Sequence, residues 1–88
     1  MEEQISELLA VVFDDGLHLS DEDAEWFITD GVYNYVRIAH HPGCGILVHN
    51  MITDRSFMFS SATDAIIEAI AQTAKAIAHL KLKGAMQQ

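Results

Sequence analysis

No lysine or arginine occurs among the first thirty residues of this chain, although that stretch holds ten of its thirteen acidic side chains. Basic residues are scarce throughout, with Arg37, Arg55, Lys75, Lys81 and Lys83 set against a formal net charge of −8. Direct nucleic-acid binding is therefore disfavoured, because it rests on lysine and arginine neutralising phosphates. One cysteine, Cys44, excludes an internal disulfide and suits a reducing compartment. One proline and a hydrophobic content of 50% argue against disorder. Long apolar runs are missing as well; the longest, Leu8 to Phe13, is far too short to cross a bilayer. Met1-Glu2-Glu3 is not the basic opening of a secretory signal, so a soluble cytoplasmic protein without membrane contact is expected.

Catalytic signatures are equally sparse. Gly16, Gly31, Gly43, Gly45 and Gly84 are too dispersed for a phosphate-cradling loop. His40, His41, Cys44 and His49 are all ligand types for zinc, but their spacing fits no zinc signature. If Gly45 forms a bulge, the strand register pairs Ile38 with Val48 and Tyr35 with Met51. That register sets His49 opposite Arg37 and His40 on the other face. A nucleophilic Cys44 would need a base in hydrogen-bond reach and an orienting third group, and the sequence supplies no pattern for either. No catalytic residue, metal or cofactor is expected.

What is there supports a single α+β domain over residues 1–88. Ile5, Leu8, Leu9 and Val12 recur at helical spacing, predicting an amphipathic helix over residues 2–14 that stops near Gly16. Ser20 with Asp23 three residues on reads as an acidic capping box. Ala24, Phe27 and Ile28 then give the inner stripe of a second helix over about 21–29, closed by the turn Asp30-Gly31. From Val32 the period changes to two, predicting a strand to about His40. Pro42-Gly43 makes a type II turn, a second strand covers 46–52, and a third covers Phe57 to Phe59. Ser61 caps a long alanine-rich helix whose face of Ile66, Ile70, Ala74 and Ile77 runs to about Lys83. The expected order is α-α-β-β-β-α: two N-terminal helices, a three-stranded antiparallel meander and a C-terminal helix packed on the sheet. Alanine-rich faces on the last helix and uncovered sheet edges make a homodimer a secondary expectation. Tyr33, Tyr35 and Arg37 alternate along one strand and could form a base-stacking platform on an open sheet face, but the tyrosines are expected to pack beneath one of the two N-terminal helices.

The acidic segment remains. Glu2, Glu3, Asp21, Glu22 and Asp23 fall in the first turns of the expected helices, where negative charge is favoured by about 0.3–1 kcal/mol each. Asp14 and Asp15 fall at an unfavourable C-terminal end, and Glu3 with Glu7 and Asp21 with Glu25 are like charges four apart. A residual acidic surface follows, suited to a protein partner with a basic surface. Its candidate contacts are Glu7, Asp14, Asp15, Glu22, Asp23 and Glu25, with Trp26 as an aromatic anchor. In size and acidity the chain resembles phage-encoded nucleic-acid mimics that inhibit host restriction, repair or CRISPR systems. The resemblance implies a non-enzymatic inhibitor that occupies the groove of a nucleic-acid-handling enzyme or complex. The rival expectation is a homo-oligomeric structural or assembly protein whose acidic end serves solubility alone.

Overall fold

A computed structural model of the chain describes residues 2–13 and 16–87, the last three of these by backbone alone. Helix α1 (Glu2–Val12) is followed by strands β1 (His18–Glu22), β2 (Glu25–Thr29), β3 (Asn34–His41), β4 (Gly45–Asn50) and β5 (Arg55–Phe59), then by helix α2 (Ala62–Gln87). The strands form one antiparallel sheet in the order β1-β2-β3-β4-β5, each paired with its neighbour in sequence. The α+β class and the long C-terminal helix on the sheet hold. The second N-terminal helix and the three-stranded meander do not: the order is α-β-β-β-β-β-α.

Residues 21–29 form a β-hairpin rather than a helix because non-local pairing overrides a local pattern. Trp26 pairs with Ile38 and Ile28 with Val36, so the run Trp26-Phe27-Ile28 alternates between the two faces of the sheet. Asp23 and Ala24 turn the chain with φ of 51° and 64°, the two positive values of a type I′ hairpin turn, whose twist matches that of the strands. Ser20 therefore sits within β1 opposite Phe27 instead of capping a helix. The turn expected at Asp30-Gly31 is present, with Gly31 at φ 92°.

The β3–β4 hairpin follows the expected register. Ile38 pairs with Val48 and Arg37 with His49, and the Met51 N–H donates to the Tyr35 carbonyl at 2.9 Å. Across the turn Pro42-Gly43, the Cys44 N–H donates to the His41 carbonyl at 2.9 Å. Gly45 is obligatory, because a Cβ there would lie 2.4 Å from the Phe59 carbonyl oxygen, at φ 126°.

Both helices cover one face of the sheet. Ile28, Val36, Ile38, Ile46 and Val48 point into this layer and meet Ile5 and Leu9 of α1 and Ala65, Ile66, Ala69 and Ala76 of α2. Each fully buried aliphatic side chain contributes about 1.5–3 kcal/mol, and α1 is anchored by two of them. In α2, Ile66 is buried and Ile70 and Ile77 are half-buried, as expected, but Ala74 faces solvent. Small residues form the buried row, which lets the helix lie close against β3 and β4. Ser61 caps it, accepting from the Asp64 N–H at 3.4 Å, and the helix continues through Gly84 to Gln87.

Asn50 ties sheet to helix. Fully buried, it donates to the Gln72 side-chain oxygen at 3.0 Å and to the Gln72 carbonyl at 3.2 Å. Its Oδ1 accepts from the Ile52 and Thr53 N–H groups at 3.0 Å each.

Candidate functional site

Strand β1 is an edge of the sheet, and its acidic end and turn gather Asp21, Glu22, Asp23 and Glu25 within one hairpin tip. Glu22 and Glu25 are directly opposed in the antiparallel register. Like charges placed so are destabilising, since opposed side chains lie only about 4.5–5.5 Å apart at Cβ. Glu25 has a counter-ion, with Arg37 Nη1 2.6 Å from its Oε2 across the β2–β3 pair. Among the described residues, Asp21, Glu22 and Asp23 have no basic partner in the ion pairs of the fold, and all three are exposed.

The other expected contact residues are distributed differently. Glu7 is exposed on α1 and lines a groove between α1 and α2. Asp14 and Asp15 lie outside the described residues. Trp26, half-buried, lies on the helix-covered face, where it packs against the hydrophobic core. Its indole nitrogen is enclosed without a hydrogen-bond acceptor. The hairpin thus brings Glu22, Asp23 and Glu25 together, with Trp26 beneath them as support.

The sheet face not covered by the helices carries Phe27, Ala39, Leu47 and Met58, with the Glu25–Arg37 pair among them. His49 lies on this face too, its Nε2 2.9 Å from Asp54 Oδ1. The sequence pattern pointed away from such an open face, because the helix expected over residues 21–29 would have helped to cover it, whereas these residues join the sheet instead. A signal was available in the alternation Glu25-Trp26-Phe27-Ile28-Thr29, whose aromatic and β-branched residues suit a strand.

The histidines are separated. His40 and His41 are adjacent in β3 and so point to opposite faces, and Cys44 sits exposed in the turn. Among the described residues, no group of three or more His, Cys, Asp and Glu side chains is placed to hold a metal ion. The two tyrosine rings lie side by side, centroids 6.1 Å apart, and both line a groove beside the C-terminal part of α2 rather than beneath an N-terminal helix. A register shift between Ile28 and Thr29 turns Tyr35 inward, where its hydroxyl donates to Asp30 Oδ2 at 2.6 Å, while Tyr33 stays partly exposed before β3. Asp30 Oδ1 also accepts from the Val32 and Tyr33 N–H groups at 2.8 Å each. The Tyr35 hydroxyl foremost, then these backbone donors, hold the Asp30 carboxyl below its usual pKa. Burial, reinforced by the bond to Asp30, pushes the Tyr35 phenol up to about 12.

Among the described residues, no helix is long and apolar enough to cross a membrane. Comparison with protein families, with characterised proteins and with solved structures finds no match to this chain.

Proposed function

We propose that the chain is a non-enzymatic, cytoplasmic protein-binding module that presents the acidic β1–β2 hairpin to a basic surface of another protein. The observation that carries this reading is the direct opposition of Glu22 and Glu25 at a tip that also holds Asp21 and Asp23, where among the described residues the ion pairs supply one basic partner, Arg37 to Glu25. Folding alone gains nothing from that arrangement. A basic partner turns the repulsion into attraction and speeds its own encounter with the hairpin.

The concrete form is inhibition by nucleic-acid mimicry: carboxylates stand in for phosphates in the groove of a restriction, repair or CRISPR enzyme or complex of a phage host. Glu7, Asp14 and Asp15 belong to the same acidic excess of the first thirty residues of the sequence. Trp26 supports the hairpin and adds apolar contact where it is exposed.

Capture of partners from host lysate at low and high salt, with native protein and with a variant carrying Asp21→Asn, Glu22→Gln and Asp23→Asn, tests the reading. Salt-labile capture of a nucleic-acid-handling enzyme, lost in the variant and displaced by DNA, is the expected result. Capture that persists in the variant would remove the hairpin as the binding surface.

A second reading, self-association, is favoured by a different observation, the apolar outer side of α2.

A further inference from the structure

The side of α2 that turns away from the sheet carries Ile67, Ala71, Ala74, Ala78 and Leu82, all exposed, Ile67 at 61% and Leu82 at 66%. At about 100° per residue these five fall within about 80° of the helix circumference, on the side opposite the buried Ala65, Ala69 and Ala76. The solvent side of a surface helix ordinarily carries its charged residues, so an unbroken apolar stripe four turns long there calls for a covering partner. The stripe widens at its N-terminal end. There Leu8 and Val11 of α1, with Ile66 and Ile67 of α2, line a groove of about 390 Å³ whose rim includes Glu7.

We propose that this side seats a second copy of the chain. The two α2 helices pack antiparallel about a two-fold axis near Ala74, and Leu82 of each copy enters the α1–α2 groove of the other. Three features of the chain select this occupant and this direction. Ile67 lies seven residues before Ala74 and Leu82 eight after it, so an antiparallel alignment centred there sets Leu82 of one copy level with Ile67 of the other. Alanine at the three intervening positions lets the helix axes approach to the short end of the usual range of about 8–10 Å.

Charge completes the match. The N-terminal half of α2 holds Asp64 and Glu68, and its C-terminal half holds Lys75, Lys81 and Lys83. Antiparallel packing lays acidic half against basic half, whereas parallel packing would lay like on like. Leu82 is flanked by Lys81 and Lys83 and enters a groove rimmed by Glu7, so the apolar insertion carries its own counter-charges. The contact is self-complementary and closes as a dimer. It uses a surface separate from the β1–β2 hairpin and stands whether or not the hairpin binds a partner.

Sedimentation equilibrium of the full chain tests it. The expected mass is twice the 9.8 kDa of one chain. Ala74→Glu or Leu82→Glu should raise the dissociation constant about 100-fold or more, because each forces a charge into the seam from both copies. Circular dichroism should be unchanged, since both sites are exposed. In a Cys44→Ser background, Ala74→Cys should cross-link to a covalent dimer on oxidation, while Ile67→Cys, facing Leu82 of the other copy, should not. A monomer at every concentration, a dimer that survives both glutamate substitutions, or equal cross-linking at the two cysteine positions would overturn the proposal.

Discussion

Glu25 Oε2 lies 2.6 Å from Arg37 Nη1, a diagonal pair on the uncovered face of the sheet that neutralises one of the four carboxylates at the hairpin tip. Both side chains keep roughly a third of their surface exposed, so screening limits the pair to about 0–1 kcal/mol. Arg37→Ala should therefore lower stability by no more than about 1 kcal/mol in urea unfolding. Glu25→Gln should weaken partner capture less than Glu22→Gln, because Glu25 already has a counter-ion and Glu22 has none.

Asn50 makes four hydrogen bonds from a fully buried position, two to Gln72 of α2 and two to the turn that begins β5. Asn50→Ala leaves buried donors and acceptors unpaired and should cost about 3 kcal/mol or more in chemical denaturation. A loss below about 1 kcal/mol would mean that water takes over the bonds without penalty.

Two backbone positions should respond with opposite signs. Ala24 holds φ 64° in the type I′ turn, so Ala24→Gly should stabilise by about 0.5–1 kcal/mol. Gly45→Ala should destabilise by about 2 kcal/mol or more, because its Cβ would strike the Phe59 carbonyl oxygen. Gly43→Ala, with open space around it at φ 81°, should cost less than Gly45→Ala. Thermal melts of the three variants check the order.

The Tyr35–Asp30 bond links stability to pH at both extremes. Asp30 has its carboxyl pKa lowered in the fold, so its contribution is present above the ordinary value near 3.8 and is lost as pH falls through the lower, folded value. Tyr35 has its pKa raised from 10.0 to about 12, so its contribution is complete below pH 10 and is lost as pH rises through about 12. Ultraviolet titration of Tyr33→Phe should show the remaining tyrosine ionising near 12. Tyr35→Phe should flatten both limbs of the stability profile, and two unchanged limbs would separate the bond from the pH response.

Elements governed by local chemistry were legible in the sequence. Pro42, Gly43 and Gly45 set the β3–β4 turn and hence the register of Ile38 with Val48 and of Arg37 with His49. The capping Ser61 and the apolar spacing beyond it announced α2. Residues 21–29 misled because Ser20, Asp23, Ala24, Phe27 and Ile28 satisfy a helix pattern, while their strand pairing depends on Val36 and Ile38, distant in sequence. An alanine at positive φ also hides the I′ turn, which asparagine or glycine would have advertised. For the candidate site, the excess of negative charge is plain in the composition. The opposition of Glu22 to Glu25 and the inward turn of Trp26 exist only once the hairpin pairs.

The most direct test of the central claim is partner capture by native protein beside the variant carrying Asp21→Asn, Glu22→Gln and Asp23→Asn, with folding of both verified by circular dichroism. The account predicts that a basic, nucleic-acid-handling partner is retained at low salt, released at high salt and absent from the variant. Equal recovery of the same partner by both proteins, at either salt, would contradict it.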